Sequence, residues 1–195
     1  MSDLLTFNSK VVLASSSQSR RQILRKYQIQ PIIVKHNINE LEEKKNFLHK
    51  DIKKIPYVLA KKKAYSIEKH YPDYYIIGSD QILYFENKIF DKPRNLEEAK
   101  NNLYKLQGKE HTLISSIYVL KNNKKVWGIT CEAVLKLKSL GLKTISKYVI
   151  ENQETVFNTV GSYKIEDERF DFIKIIKGDK ETIMGFPIKK FIKKQ

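Results

Sequence analysis

The 195-residue chain has a single cysteine, Cys131, so no disulfide can close within it, and a reducing compartment is expected. No His or Cys cluster surrounds that residue, which assigns it a buried or neutral structural role. No apolar run approaches the roughly 18 residues a membrane-spanning helix needs. The first ten residues lack a basic stretch followed by a long apolar one, so no signal peptide is expected. A soluble, cytoplasmic protein with no membrane partner is therefore expected. No internal repeat and no Pro/Gly/Ser-rich linker interrupts the chain, which is expected to form a single domain over 1–195, or two lobes of one compact enzyme. The four histidines show no ligand spacing, and there is no zinc-finger spacing and no aromatic RNA-binding signature. GxGxxG and the GxxxxGK loop are also missing, so any bound phosphate is held by something other than a P-loop.

What is present is enough apolar surface for a core: 41% hydrophobic residues, including 11 Tyr and 9 Phe, exclude a wholly disordered chain. Thirty-seven Lys and Arg against 22 Asp and Glu leave a net charge of +15, which by itself points toward nucleic acid. The lysines are spread along the whole chain, however, and Ile, Asn and Tyr are abundant too. A compositional drift explains such a background without a polynucleotide partner. Strands are expected near 10–15, 31–35, 74–79, 81–86, 111–121, 124–135 and 170–177, and helices near 18–28, 55–71, 95–107, 143–151 and 153–158. A hairpin is expected to turn at Asn122-Asn123. This order argues for an α/β fold with a mixed sheet carrying an antiparallel portion.

Four segments could carry chemistry. In the first, Leu13-Ala14-Ser15-Ser16-Ser17-Gln18-Ser19-Arg20-Arg21, an apolar strand ends in a hydroxyl-rich loop and a helix opens with two arginines. Backbone N–H groups at a helix N-terminus, serine hydroxyls and guanidinium forks make a phosphate cradle. Serines as plain N-caps with solvated arginines are the alternative. In the second, the helix expected over 57–71 places Leu59, Ala60, Ala64, Ile67 and Tyr71 on one arc. Lys63 falls inside that arc, whereas Lys61 and Lys62 point away. A lysine turned inward is paired or faces a cleft, unless it snorkels out at the helix edge.

In the third, the buried-type strand Tyr74-Tyr75-Ile76-Ile77 runs into Gly78-Ser79-Asp80-Gln81. A carboxylate directly after such a strand can hold a divalent cation or take a proton from water, and Gly78 permits a sharp bend or a close ligand approach. Ordinary turn chemistry is the alternative. The fourth, Phe90-Asp91-Lys92-Pro93, offers Lys92 to phosphates from a loop. Glu40, after the strand at 31–35, adds a possible second carboxylate, although Glu42 and Glu43 beside it also fit a solvated acidic turn.

Taken together and in order, these segments resemble the Maf family of nucleotide pyrophosphatases. Residues 13–21 match its L-A-S-x-S-P-x-R-R opening, with Gln18 in place of the proline. Glu40 matches its acidic turn, Lys62-Lys63-Ala64 its E-K-A helix motif, 78–81 its G-S-D-Q turn and 91–93 its G-K-P. Residues 106–111 resemble its L-S-G-x-x-H, and Met184-Gly185-Phe186-Pro187-Ile188 its V-G-L-P-L ending. The resemblance implies a Maf/Ham1-like (ITPase-like) fold, a mixed twisted sheet with flanking helices and two lobes around a cleft. Gln81, with Glu166 in Gly161-Ser162-Tyr163-Lys164-Ile165-Glu166, is similar to the YceF subgroup, whose substrate is 7-methyl-GTP. A carboxylate at 166 suits the N–H donors of a guanine edge, and a cationic purine gains further from it. Ser19 stands where that subgroup often has an aromatic, and Asp167 replaces a glycine.

The activity implied is hydrolysis between the α- and β-phosphates of a nucleoside triphosphate, with Asp80 as the catalytic residue. Ser15, Ser19, Arg20, Arg21, Lys63, Gln81, Lys92 and Glu166 would bind substrate. Glu40 and Asp80 would hold Mg²⁺ or Mn²⁺. The resemblance also implies a homodimer, which no residue pattern demands. Three rivals remain: a pyrophosphatase for dTTP or UTP, a basic nucleic-acid-binding module, and a regulator of septum formation in cell division.

Overall fold

The computed structural model describes residues 5, 6, 8–45, 47, 51–165 and 171–192. After β1 (Val11–Leu13), helix α1 (Gln18–Lys26) begins on Ser17, whose hydroxyl accepts the backbone N–H of Arg20. It ends where Gln28 takes a φ of 60°, with the N–H groups of Gln28 and Ile29 donating back to Arg25 and Leu24 carbonyls. There follow β2 (Ile32–Ile33), α2 (Glu40–Lys45) and α3 (Ile55–Tyr65), the last with Pro56 in its opening turn, where a missing N–H costs nothing. The middle of the chain holds β3 (Tyr75–Phe85), β4 (Lys88–Phe90), α4 (Leu96–Leu106), β5 (Glu110–Lys121) and β6 (Lys124–Leu137). It closes with α5 (Leu142–Glu151), α6 (Gln153–Asn158), β7 (Ile173–Lys177) and α7 (Lys180–Ile183).

The strands form a seven-stranded sheet in the order β2-β1-β3-β5-β6-β7, with β4 on β3. Strand β1 pairs in parallel with β2 and β3, while β4 on β3 and β7 on β6 are antiparallel, so the sheet is mixed as expected. Both Asn122 and Asn123 have positive φ, at 48° and 59°, as the tight two-residue hairpin turn between β5 and β6 demands. Glu86 and Asn87 do the same between β3 and β4, a hairpin not foreseen because Glu is a poor turn signal.

The chain divides into two compact units. The first comprises Met1–Asp80, Ser115–Cys131 and Met184–Gln195; the second comprises Gln81–Ile114 and Glu132–Ile183. In the first unit β1 is buried on both faces. Val11 and Leu13 pack with Ile23, Leu24, Ile77 and Phe186, whereas Val12 packs with Ala60, Ala64 and Ile76. That double burial explains why 11–13 reads as a continuous apolar run and does not alternate. The second unit is built on Leu83, Leu103, Leu113, Leu135, Tyr148 and Phe172. Among the described residues no helix is long and apolar enough to cross a membrane.

Three expectations need correction. Residues 78–81 are not a turn after a strand: 74–79 and 81–86 belong to one strand, β3, and Asp80 sits in its interior. The helix expected over 55–71 stops at Tyr65, so Ile67 is buried from beyond the helix end and not from its apolar arc. The acidic segment after β2 is not a solvated turn but the first turn of α2, where three glutamates suit the positive end of the helix.

Candidate active site

Asp80 and Lys63 meet because a helix lies unusually close to a strand. A Cβ on Gly78 would fall 1.9 Å from the Ala60 carbonyl oxygen and 2.8 Å from the Ala64 nitrogen, so only glycine lets α3 lie against β3 here. The close approach that Gly78 permits is therefore that of a helix backbone. Side chains alternate along a strand, so Asp80 shares the face of Ile76 and Gly78, the one that α3 covers. Lys63, next to Ala64 in the last turn of α3, drops its ammonium onto that carboxylate. The Nζ–Oδ1 distance is 2.6 Å, and the residues are 3% and 4% exposed. The inward lysine is thus paired and does not snorkel out.

The same ammonium lies 2.9 Å from Oε1 of Glu40, the first residue of α2. That oxygen also accepts the Nε2–H of His36 at 3.1 Å. The histidine hydrogen bond, assisted by Lys63, holds the Glu40 carboxyl well below the usual carboxylate range, against the opposing effect of burial. A buried pair stays charged only where its remaining lone pairs and protons find partners. Asp80 meets that condition on one oxygen: its Oδ2 is buried with no hydrogen-bond partner among the described residues.

Arg20 approaches from the other side of β3. Its Nη1 donates to Ser15 Oγ at 3.1 Å and to the Ser79 carbonyl at 2.9 Å, and its Nε donates to the Gly185 carbonyl at 3.2 Å. The Ser79 hydroxyl donates to that same Gly185 oxygen at 2.9 Å. Desolvation lowers the Arg20 pKa, while the nearby charges of Asp80 and Glu40 pull it back up. One guanidinium therefore joins the serine loop, β3 and the C-terminal segment, near enough to Asp80 and Glu40 to feel their charge.

The structure thus gathers Ser15, Arg20, Glu40, Lys63 and Asp80 within the first unit. Ser19 and Arg21 follow on α1, half-buried and exposed, and the described contacts do not tie them into the group. Gln81 and Lys92 belong to the second unit, where Lys92 is exposed beside a buried Pro93. The Gln81 side-chain amide donates to the carbonyls of Thr182 and Ile183, at 3.1 and 2.9 Å. Glu166 lies outside the described residues. His36 was missed because it precedes α2, so its four-residue spacing from Glu40 carries no helical signal.

Two further motif residues pair in the second unit. His111 Nε2 and the Tyr163 hydroxyl are 2.5 Å apart, both buried. Burial pushes the histidine pKa down to about 4 and raises that of the tyrosine.

Among the described residues no group of three or more His, Cys, Asp or Glu side chains is arranged to hold a metal ion. The available donors, the unpartnered Asp80 Oδ2 and the Glu40 carboxylate, are hard oxygens. They fit a small divalent cation that takes the rest of its shell from phosphate and water, in the manner of Mg²⁺.

The chain is similar to known proteins along most of its length. A nucleoside triphosphate pyrophosphatase of Legionella pneumophila (strain Lens) is 33% identical over 178 residues, 91% of this chain and 88% of that protein. A 7-methyl-GTP pyrophosphatase of Bartonella henselae is 32% identical over 178 residues, 91% of this chain and 90% of its own length. A nucleoside triphosphate pyrophosphatase of Pelagibacter ubique is 31% identical over 183 residues, 93% and 94% of the two chains. Residues 10–194 match the family described as Maf-like protein, and the chain belongs to that family.

Proposed function

We propose that this protein is a nucleoside triphosphate pyrophosphatase, cleaving the bond between the α- and β-phosphates to release a nucleoside monophosphate and pyrophosphate. The observation that carries this reading is the buried Asp80, held through one oxygen by Lys63 while its other oxygen has no partner among the described residues. In the proposed step, water oxygen attacks the α-phosphorus and pyrophosphate leaves with the bridging oxygen. Asp80 orients the attacking water and takes its proton. Lys63 keeps Asp80 oriented, and Arg20 contributes positive charge toward the phosphates.

Two carboxylates, Glu40 and Asp80, balance two cations, Lys63 and Arg20. A triphosphate brings additional negative charge to this neutral cluster, which favours a divalent cation held by Glu40 and Asp80. Mg²⁺ or Mn²⁺ would supply charge stabilisation on the phosphate oxygens.

Among nucleotides we place 7-methyl-GTP first. Support comes from Glu166 with Gln81 in the sequence and from relatives of that name in Bartonella henselae and Bartonella quintana, 32% and 34% identical. Pyrophosphate release with Mg²⁺ or Mn²⁺ should be measured across 7-methyl-GTP, GTP, dTTP, UTP and modified pyrimidine triphosphates. The highest kcat/KM is expected for 7-methyl-GTP; a preference for pyrimidines would overturn the nucleotide assignment. Asp80→Asn should lower kcat by about 10²- to 10⁴-fold. A folded Asp80→Asn protein with near-native turnover would remove Asp80 from the mechanism.

A further inference from the structure

We infer that His36 is a positioning residue for the reaction, acting on Asp80 through Glu40 and Lys63; this rests on the pyrophosphatase reading above. Four side chains make a continuous series. His36 Nε2–H donates to Glu40 Oε1 at 3.1 Å, that oxygen takes Lys63 Nζ at 2.9 Å, and Nζ reaches Asp80 Oδ1 at 2.6 Å. Every link except the first joins residues already assigned to the site.

The link from His36 matters because Glu40 is the loosest member. Its side chain is 37% exposed, against 4% for Lys63 and 5% for Asp80. It projects from the first residue of the six-residue α2, in which no residue is buried. A half-exposed glutamate on such a helix samples several rotamers unless something holds it. His36 can hold it. Its side chain is 17% exposed, and it donates to the same oxygen that Lys63 uses. With Oε1 fixed from both sides, Lys63 sits between two anchored carboxylates, and the Asp80 carboxylate keeps one orientation. Groups behind the directly acting ones commonly matter by about 10- to 100-fold when removed.

The test is a kinetic series with a double-mutant cycle. His36→Ala is expected to lower kcat about ten-fold while KM for the nucleotide stays within about two-fold. Glutamine can place an amide N–H near the imidazole Nε2 position, so His36→Gln should recover most of the rate. In a Glu40→Ala background, which removes the acceptor oxygen, adding His36→Ala should have no further effect, because the two changes break one interaction. Unchanged kcat in folded His36→Ala, full additivity in the cycle, or no recovery with glutamine would each overturn the assignment.

A second readout does not depend on turnover. Imidazole ¹H–¹⁵N spectra of the whole protein should show His36 protonated at Nε2, with a resonance that moves in Glu40→Gln. An Nδ1-protonated or Glu40-insensitive His36 would overturn the contact even if His36→Ala fails to fold. Absence of pyrophosphate release by the wild-type protein would instead refute the function, and the spectra would still decide the contact.

Discussion

Gly78→Ala separates two opposite expectations. On propensity alone alanine is better than glycine inside a strand, by roughly 0.5–1 kcal/mol, and β3 is a regular strand at this point. The packing gives the reverse sign. The new methyl carbon would lie 1.9 Å from the Ala60 carbonyl oxygen, where a carbon–oxygen contact needs about 3.3 Å. Helix α3 must therefore retreat by about 1.4 Å, since the obstacle is its backbone and no rotamer can relieve it. Overpacking of this kind costs about 3 kcal/mol, a fall in Tm of about 6–12 °C for a chain of this length. The same retreat carries Lys63 away from Asp80, and a 2.6 Å hydrogen bond does not survive a shift of that size. Misplacement by about 1 Å can cost about 10²-fold in rate. Denaturant melts and pyrophosphate-release kinetics of Gly78→Ala measure both effects. Gly141→Ala, whose Cβ meets nothing within 4 Å, serves as the control and should change stability by less than about 1 kcal/mol. A Gly78→Ala protein as stable and active as the wild type would refute the close packing of α3 on β3 and the positioning of Lys63 derived from it.

Lys63→Met leaves Asp80 buried without its cation, and denaturant unfolding at neutral pH should show a loss of about 3–5 kcal/mol; a change below about 1 kcal/mol would mean the pair is not buried as described. Stability should also depend on pH through His111. Its folded-state pKa of about 4 lies below the ordinary 6.5, so the unfolded chain binds more protons between those values. Stability is then full above pH 6.5 and falls as the pH drops toward 4, by up to about 3 kcal/mol. Urea melts from pH 4 to 7 should show this slope, and a folded His111→Asn protein should lose it. The depressed pKa of Glu40 has the same sign but acts lower, its stabilisation being lost as the pH falls below the ordinary carboxylate value.

Much of the site was legible because its signals are local. A 3.6-residue period set Lys63 apart from Lys61 and Lys62, and burial of Lys63 follows from that position. The serine loop before α1, the hairpin at Asn122-Asn123 and the carboxylate near the apolar strand over 74–77 each depend on a few neighbouring residues. Residues 78–81 misled for the same reason. Gly-Ser-Asp is turn chemistry locally, yet burial of Ile82, Leu83 and Phe85 keeps the chain extended through it.

Sequence alone therefore determined the α/β order of elements and the mixed character of the sheet, and it singled out the candidate residues for the chemistry, because periodicity and motif spacing are properties of the chain. Tertiary structure alone decided which of those residues meet. Gly78 as the point where α3 settles on β3, Arg20 reaching the Gly185 carbonyl 165 residues away, and His36 closing on Glu40 all depend on the approach of separate segments. Asp80 is positioned by backbone atoms of a helix and a strand passing too close for any side chain larger than hydrogen, a constraint no local pattern records.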